Sequence, residues 1–482
     1  MTKKIFVSCS LILSQIISLA QECDCLKNYN WVKSTFEAND AGYQYALDVK
    51  GEAAYWEHNK RILIKVEGAR TISECTPILY EWLEFFRSGH IAIRLNEDYQ
   101  QLPPSGNQSP IENWESYKVS EEDFKKYLDR KFATDFEGIW EAPPYKVGII
   151  EKDGGYLGFI LESGVESWKP GDIKFKFNTS EMGDSGVYYM RDRSAVEFNR
   201  IELIGNNHLQ IGDFLLNRQF PLLKDDPKYE QYFKSQSAEL PYFEKLDNST
   251  LYFRIPSFSE GYKGYIDSLI TDRKNEILST KNLIIDIRNN GGGSDASYAE
   301  IIPFLYTNPI RVVGVEYLST KLNNQRMLDF INNPAYGFSD DDKKWAKDAY
   351  DKLESKLGQF VNLNDEVASI GTLDTIYPYP KNVGIIINQG NGSTAEQFLL
   401  ESRQSKKVKL FGVTTFGVLD ISNMYFVDSP CNEFQLGYSL SRSMRIPSFA
   451  IDDKGIQPDF FLDEGIPQYD WTEYVKSILN SW

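Results

Sequence analysis

Gly384-Ile385-Ile386-Ile387-Asn388-Gln389-Gly390-Asn391-Gly392-Ser393-Thr394-Ala395-Glu396-Gln397-Phe398 passes from an apolar run, through a glycine-punctuated turn, into a helical pattern. The unbroken Ile385-Ile386-Ile387 suits a strand covered on both faces rather than one open to water. The turn leaves Ser393 at a helix N-terminus, where the backbone presents free N–H groups and positive potential. Such a place stabilises a developing oxyanion. It equally suits a plain helix cap, with Glu396 completing a capping box.

A second stretch has the same form. Leu283-Ile284-Ile285-Asp286-Ile287-Arg288-Asn289-Asn290-Gly291-Gly292-Gly293 is a buried strand that ends in a charged and amide-bearing turn and three glycines. Glycines there allow backbone N–H groups to approach a ligand closely. No Gly-Lys-Ser/Thr follows, so a phosphate loop is excluded.

Working outward, Thr250–Ile255 and Val408–Thr414 read as further strands, with helices over Lys263–Ile277 and from Thr394 to about Ser405. These elements predict an α/β core over 246–470, a well-capped helical insertion at 339–361 and a closing helix at 471–482. On the N-terminal side, 21–96 carries helical spacing, with Ile78–Phe86 strongly apolar on one face. That helix stops at Ser88-Gly89, and Ile91–Leu95 alternates like a strand, which places His90 on the turn between them. The region 97–245 opens with a polar, proline-bearing linker to about 112. It continues with short alternating runs at Tyr145–Glu151, Tyr156–Leu161, Asp172–Phe177, Val187–Arg191 and Arg200–Ile204, the pattern of a small barrel or sandwich.

Lys3 and Lys4, an apolar run to Leu19 and Ser18-Leu19-Ala20 predict a cleaved signal peptide over 1–20 and an exported protein, periplasmic or extracellular. No later segment is long and apolar enough to predict membrane insertion after cleavage. A net charge of −17 repels phosphate backbones, so nucleic acid is not an expected partner. Cys23, Cys25, Cys75 and Cys431 remain after cleavage, and one of Cys23 or Cys25 could join Cys75 in a disulfide. Cys23-x-Cys25 is not a zinc spacing, and no metal site is expected.

The two quoted stretches resemble the signature of the C-terminal processing (tail-specific) and tricorn-type serine peptidases. Asp286 to Gly293 matches the family's Asp-x-Arg-x-Asn-x-Gly-Gly, and Ser393-Thr394-Ala395-Glu396 its Ser-x-x-Glu. Thr415-Phe416-Gly417 and Gly455-Ile456-Gln457-Pro458-Asp459 match its Thr-Phe-Gly and Gly-Ile-x-Pro-Asp. The resemblance implies a multidomain α+β protein: an N-terminal helical domain, a β-rich middle domain and a crotonase-like α/β peptidase core. It implies Ser393 as nucleophile, acting on a peptide or unfolded-protein substrate without cofactor. The processing branch places a general-base lysine directly after Thr-Phe-Gly, but here that residue is Val418.

The tricorn-type branch uses a histidine from an N-terminal segment, and His90 resembles it. His58 lies in a polar helical stretch and is expected to be solvated, and His208 reads as a hairpin residue. A histidine base predicts loss of activity as pH falls through roughly 6 to 7. Asp452 stands at the offset from Gly455 where that branch has a glutamate, which implies that it orients the histidine. Gly292, Gly291 and Thr394 are the expected oxyanion-hole donors, while Asp286 and Arg288 are expected to brace the glycine turn. The rival reading is a catalytically inactive relative that binds peptides.

Overall fold

The computed structural model describes residues 24–96, 114–131, 135–180 and 183–482. The expected signal peptide, Cys23 and the whole of the expected linker lie outside them. The chain forms two compact units: one draws on the chain up to 106, on 313–367 and on 420–449, the other on 107–312, 368–419 and 450–482.

The second unit holds a six-stranded sheet ordered Tyr242–Lys245, Thr250–Arg254, Asn282–Asp286, Asn382–Ile387, Val408–Gly412 and Phe460–Phe461. Every pairing after the first is parallel. Alternate residues serve opposite faces. Phe253, Ile285, Ile385 and Leu410 share one apolar layer with Ile266, Ile270 and Phe398 from the helices Glu260–Ile277 and Thr394–Ser402. Tyr252, Ile284, Ile386 and Phe411 enter another with Trp471, Val475 and Leu479 of the helix Trp471–Ser481. Cover on both faces explains the unbroken apolar runs.

The same unit contains a nine-stranded antiparallel sheet between Gly138 and Phe220. Its edge strands, Ala195–Phe198 and Ile201–Ile204, are consecutive in the chain, so the sheet curls over a core containing Trp140, Phe175 and Leu209. The five expected runs are present, joined by four short strands. Tyr156-Leu157-Gly158-Phe159 lies within the strand Gly155–Ser163.

In the first unit, the helices Cys25–Asn39, Tyr43–Lys50, Glu52–Gly68 and Ile72–Glu84 pack around Phe36, Trp82 and Phe86. The last of these helices contains Pro77. Ala92–Leu95 pairs antiparallel with the Phe434–Ser443 strand of a five-stranded sheet. Cys25 and Cys75 form a disulfide, and Cys431 is also disulfide-bonded. The buried Asp40–Arg87 ion pair ties helix to sheet, because Asp40 also accepts the Ser439 N–H.

Candidate active site

Asp286 pairs in register with Ile386 on the neighbouring parallel strand. The two quoted turns therefore leave adjacent strands at the same carboxyl edge, where open α/β sheets place their sites. Four asparagines join the turns. Asn388 Oδ1 accepts the Asn289 N–H at 2.8 Å, and Asn388 Nδ2 donates to Asn289 Oδ1 at 2.8 Å. Asn391 Oδ1 accepts the Asn388 N–H at 2.7 Å, while Asn391 Nδ2 donates to the carbonyls of Ile287 and Asn290. Asn290 Oδ1 accepts the Gly292 N–H at 3.0 Å.

This lacing holds Ser393 at φ 55°, ψ −126° at the start of the helix Thr394–Ser402. A non-glycine residue pays on the order of 1–3 kcal/mol for such a backbone and keeps it only where its surroundings enforce it. Glu396 enforces it from the helix side. Its buried carboxylate accepts from Ser393 N (3.2 Å), Thr415 Oγ1 (2.5 Å), Gly417 N (2.8 Å) and Val418 N (2.9 Å). Burial raises its pKa above the ordinary value against the opposing pull of these bonds. Glu396 thus does more than cap a helix: it fastens the Thr415–Val418 turn beneath the serine. Thr415 Oγ1 in turn accepts the Ile456 N–H at 2.7 Å, so the last two quoted motifs close on the same point.

Gly292 has φ 103°, and a Cβ there would meet Gly392 O at 2.7 Å, Ser393 Cβ at 2.8 Å and Thr394 N at 2.8 Å. Only glycine admits this approach. Thr394 Oγ1 donates to the Gly293 carbonyl at 3.0 Å. Among the described residues the Thr394 and Gly291 N–H groups have no hydrogen-bond acceptor, whereas Gly292 N–H is held by Asn290. Beneath the turn, Arg288 grips Asp286 through Nε and Nη2, and Tyr252 Oη donates to Asp286 at 2.7 Å. Burial raises the Asp286 pKa, but the Arg288 and Arg254 guanidiniums outweigh it and leave the value at about 2. The pair is wholly buried and braces the turn.

Val418 occupies the place of the processing-branch lysine, its Cγ2 2.7 Å from where a Gly392 Cβ would stand. Lys407 is half-buried with no hydrogen-bond partner for Nζ, and burial lowers it to about 8. It precedes the strand Val408–Gly412 at the edge opposite the turns. At ~3.3 Å per residue that strand separates it from the serine's edge by roughly 15 Å, too far to act on Ser393.

His90 belongs to the first unit, and Ser393 and Asp452 to the second. His90 has φ 54°. Its Nδ1 lies 2.7 Å from the Ile421 carbonyl oxygen; a carbonyl only accepts, so Nδ1 carries the proton and Nε2 the lone pair. Arg87 donates to the His90 carbonyl at 2.9 Å, fixing the turn. Burial lowers the His90 pKa to about 4, against the opposing Ile421 bond. Asp452 Oδ1 accepts the Leu419 N–H at 2.6 Å. Asp420 is fully buried and paired with Arg445 at 3.2 Å.

Of the other histidines, His208 stands in the expected hairpin, paired with Ile204 across its turn, whereas His58 differs from expectation. His58 is buried, not solvated: Nε2 donates to the Trp82 carbonyl at 3.2 Å, and Arg61 donates to Nδ1 at 2.8 Å. Phe85 stacks on its ring. His208 begins a strand, is fully buried and stacks on Phe233. Among the described residues no group of His, Cys, Asp and Glu could hold a metal ion.

Residues 249–462 match the family model of peptidase family S41. A 170-residue stretch is 31% identical to a probable CtpA-like serine protease of Staphylococcus haemolyticus (strain JCSC1435), covering 32% of this chain and 32% of that protein. The chain thus matches about a third of that curated relative's length. The fold is similar to the crystal structure of mature CPAF, with TM-score 0.51, 11% identity and coverage of 95% of this chain and 96% of that one. It is also similar to mature CPAF complexed with lactacystin, with TM-score 0.52, 12% identity and coverage of 95% and 98%. At such identity the likeness is one of fold.

Proposed function

We propose that this chain, whose residues 249–462 make a peptidase family S41 domain, is a serine peptidase cleaving peptide bonds through an acyl-enzyme on Ser393. The observation that carries the reading is the Ser393 backbone. A strained serine stands at a helix N-terminus beside a glycine whose Cβ would strike it. A plain cap needs neither the strain nor the glycine approach.

His90 acts as general base. With Nδ1–H donated to Ile421, Nε2 takes the Ser393 proton as Oγ attacks the substrate carbonyl. The oxyanion is held by Thr394 N–H and the Gly291–Gly292 turn, where Gly292 N–H exchanges Asn290 for the oxyanion. The imidazolium then gives its proton to the leaving amine, and water releases the acyl group by the reverse sequence. Asp452 acts at one remove. It holds Leu419 N–H, two residues before the carbonyl that sets the His90 tautomer. Export is supported by the Cys25–Cys75 disulfide, which persists in oxidising compartments. No helix of the described residues is long and apolar enough to cross a membrane.

A fluorophosphonate probe tests the reading: the wild-type protein takes the label and Ser393→Ala does not. Absence of label on the folded wild type would favour the peptide-binding alternative.

A further inference from the structure

We infer that Asn391 is a positioning residue for the nucleophile, acting by locking the serine turn to the oxyanion turn; this rests on the peptidase reading above. Asn391 is fully buried and lies two residues before Ser393. Its side chain uses both ends. Oδ1 accepts the Asn388 N–H at 2.7 Å within its own turn, and Nδ2 donates across to Ile287 O and, at 3.2 Å, to Asn290 O. Its own carbonyl accepts the Phe416 N–H at 2.8 Å. The side-chain amide therefore joins the serine turn to the glycine turn, and the backbone carbonyl of the same residue adds the Thr415–Val418 turn.

The chemistry requires an amide. Two backbone carbonyls demand a donor and one N–H demands an acceptor, at a fully buried position. An ionised carboxylate of the same shape would satisfy Asn388 and repel Ile287 O and Asn290 O. Burial and those carbonyls would raise its pKa. Once protonated, it regains a donor for one of the two carbonyls. Asn391→Asp is thus a substitution whose damage is reversed by acid. The split of the effect between kcat and KM, in protein that remains folded, separates positioning from a loss of fold.

Because Asn391 lies beneath the serine, misplacement appears in kcat rather than KM. A displacement of about 1 Å in reacting groups costs on the order of 100-fold. The experiment measures kcat and KM of wild type and Asn391→Asp on a fluorogenic peptide between pH 5 and 8, alongside fluorophosphonate labelling. At pH 8 the variant is expected to lose about 100-fold in kcat with KM unchanged, and its activity relative to wild type should rise at least about tenfold by pH 5. A wild-type kcat at pH 8, or a ratio flat across the range, overturns the inference while a labelled wild type leaves the peptidase reading standing. An unlabelled wild type overturns both. Asn388→Ala guards against a variant that does not fold. It severs the parallel bridge to Asn289 and should lower kcat with KM kept; wild-type kcat there also overturns the inference.

Discussion

The His90 Nδ1 lies 2.7 Å from the Ile421 carbonyl oxygen, so a backbone carbonyl sets the tautomer that a carboxylate sets in many serine hydrolases. A neutral carbonyl fixes the ring and favours its positive charge less than a carboxylate would. Burial then lowers the histidine from 6.5 to about 4.

The first prediction follows from that value. A base protonating near 4 keeps kcat/KM level through the range where an ordinary histidine fails, and the acid limb falls near pH 4 rather than 6 to 7. Stability moves in the same direction. The unfolded histidine binds a proton below about 6.5 and the folded one only near 4, so unfolding takes up a proton between them and stability falls as pH drops through that window. A pH–rate profile over the range where circular dichroism shows intact fold separates the two effects. An acid limb at 6 to 7 contradicts the buried-base account.

Glu396 supplies the second prediction. All four of its described partners are donors, so Glu396→Gln places an amide NH₂ against N–H groups. Leaving buried groups unpaired costs about 1–3 kcal/mol. Urea denaturation should show that loss, together with reduced labelling of Ser393. Unchanged stability would mean that the carboxylate does not hold the Thr415–Val418 turn.

Gly292→Ala is the third. Its Cβ would stand within 2.8 Å of the serine turn, whereas a Cβ on Gly291 meets nothing within 4 Å. Gly292→Ala should lose peptidase activity and melt lower than wild type, and Gly291→Ala should melt like wild type. Equal melting of the two variants would contradict the close approach of the turns.

Much of this was legible because local pattern carried it. The parallel core strands announced themselves as apolar runs, since both faces are covered, and Ser393 with the three glycines marked where the strands end. Val418, set against the processing branch's Thr-Phe-Gly-Lys, excluded a lysine dyad at its usual place. What escaped was tertiary. The asparagines at 289, 290, 388 and 391 read as turn formers, and only strand register reveals that they bond across two turns. A hint was available, because four amides flanking glycines exceed what two turns need. His58 read as solvated because its neighbours are polar, but Trp82 of a later helix and Phe85 at its end bury it. The pairing of Ala92–Leu95 with Phe434–Ser443 spans too much sequence for any local signal.

The proposed mechanism has Ser393 as a nucleophile activated by His90. Its most direct measurement is the rate of fluorophosphonate labelling, with the modified residue located by peptide mass spectrometry, for wild type, Ser393→Ala and His90→Ala at pH 7. The account predicts label on Ser393 in the wild type, none in Ser393→Ala, and a rate lower by something like 10³-fold or more in His90→Ala with fold intact. Label on another residue, or undiminished labelling of folded His90→Ala, would contradict it.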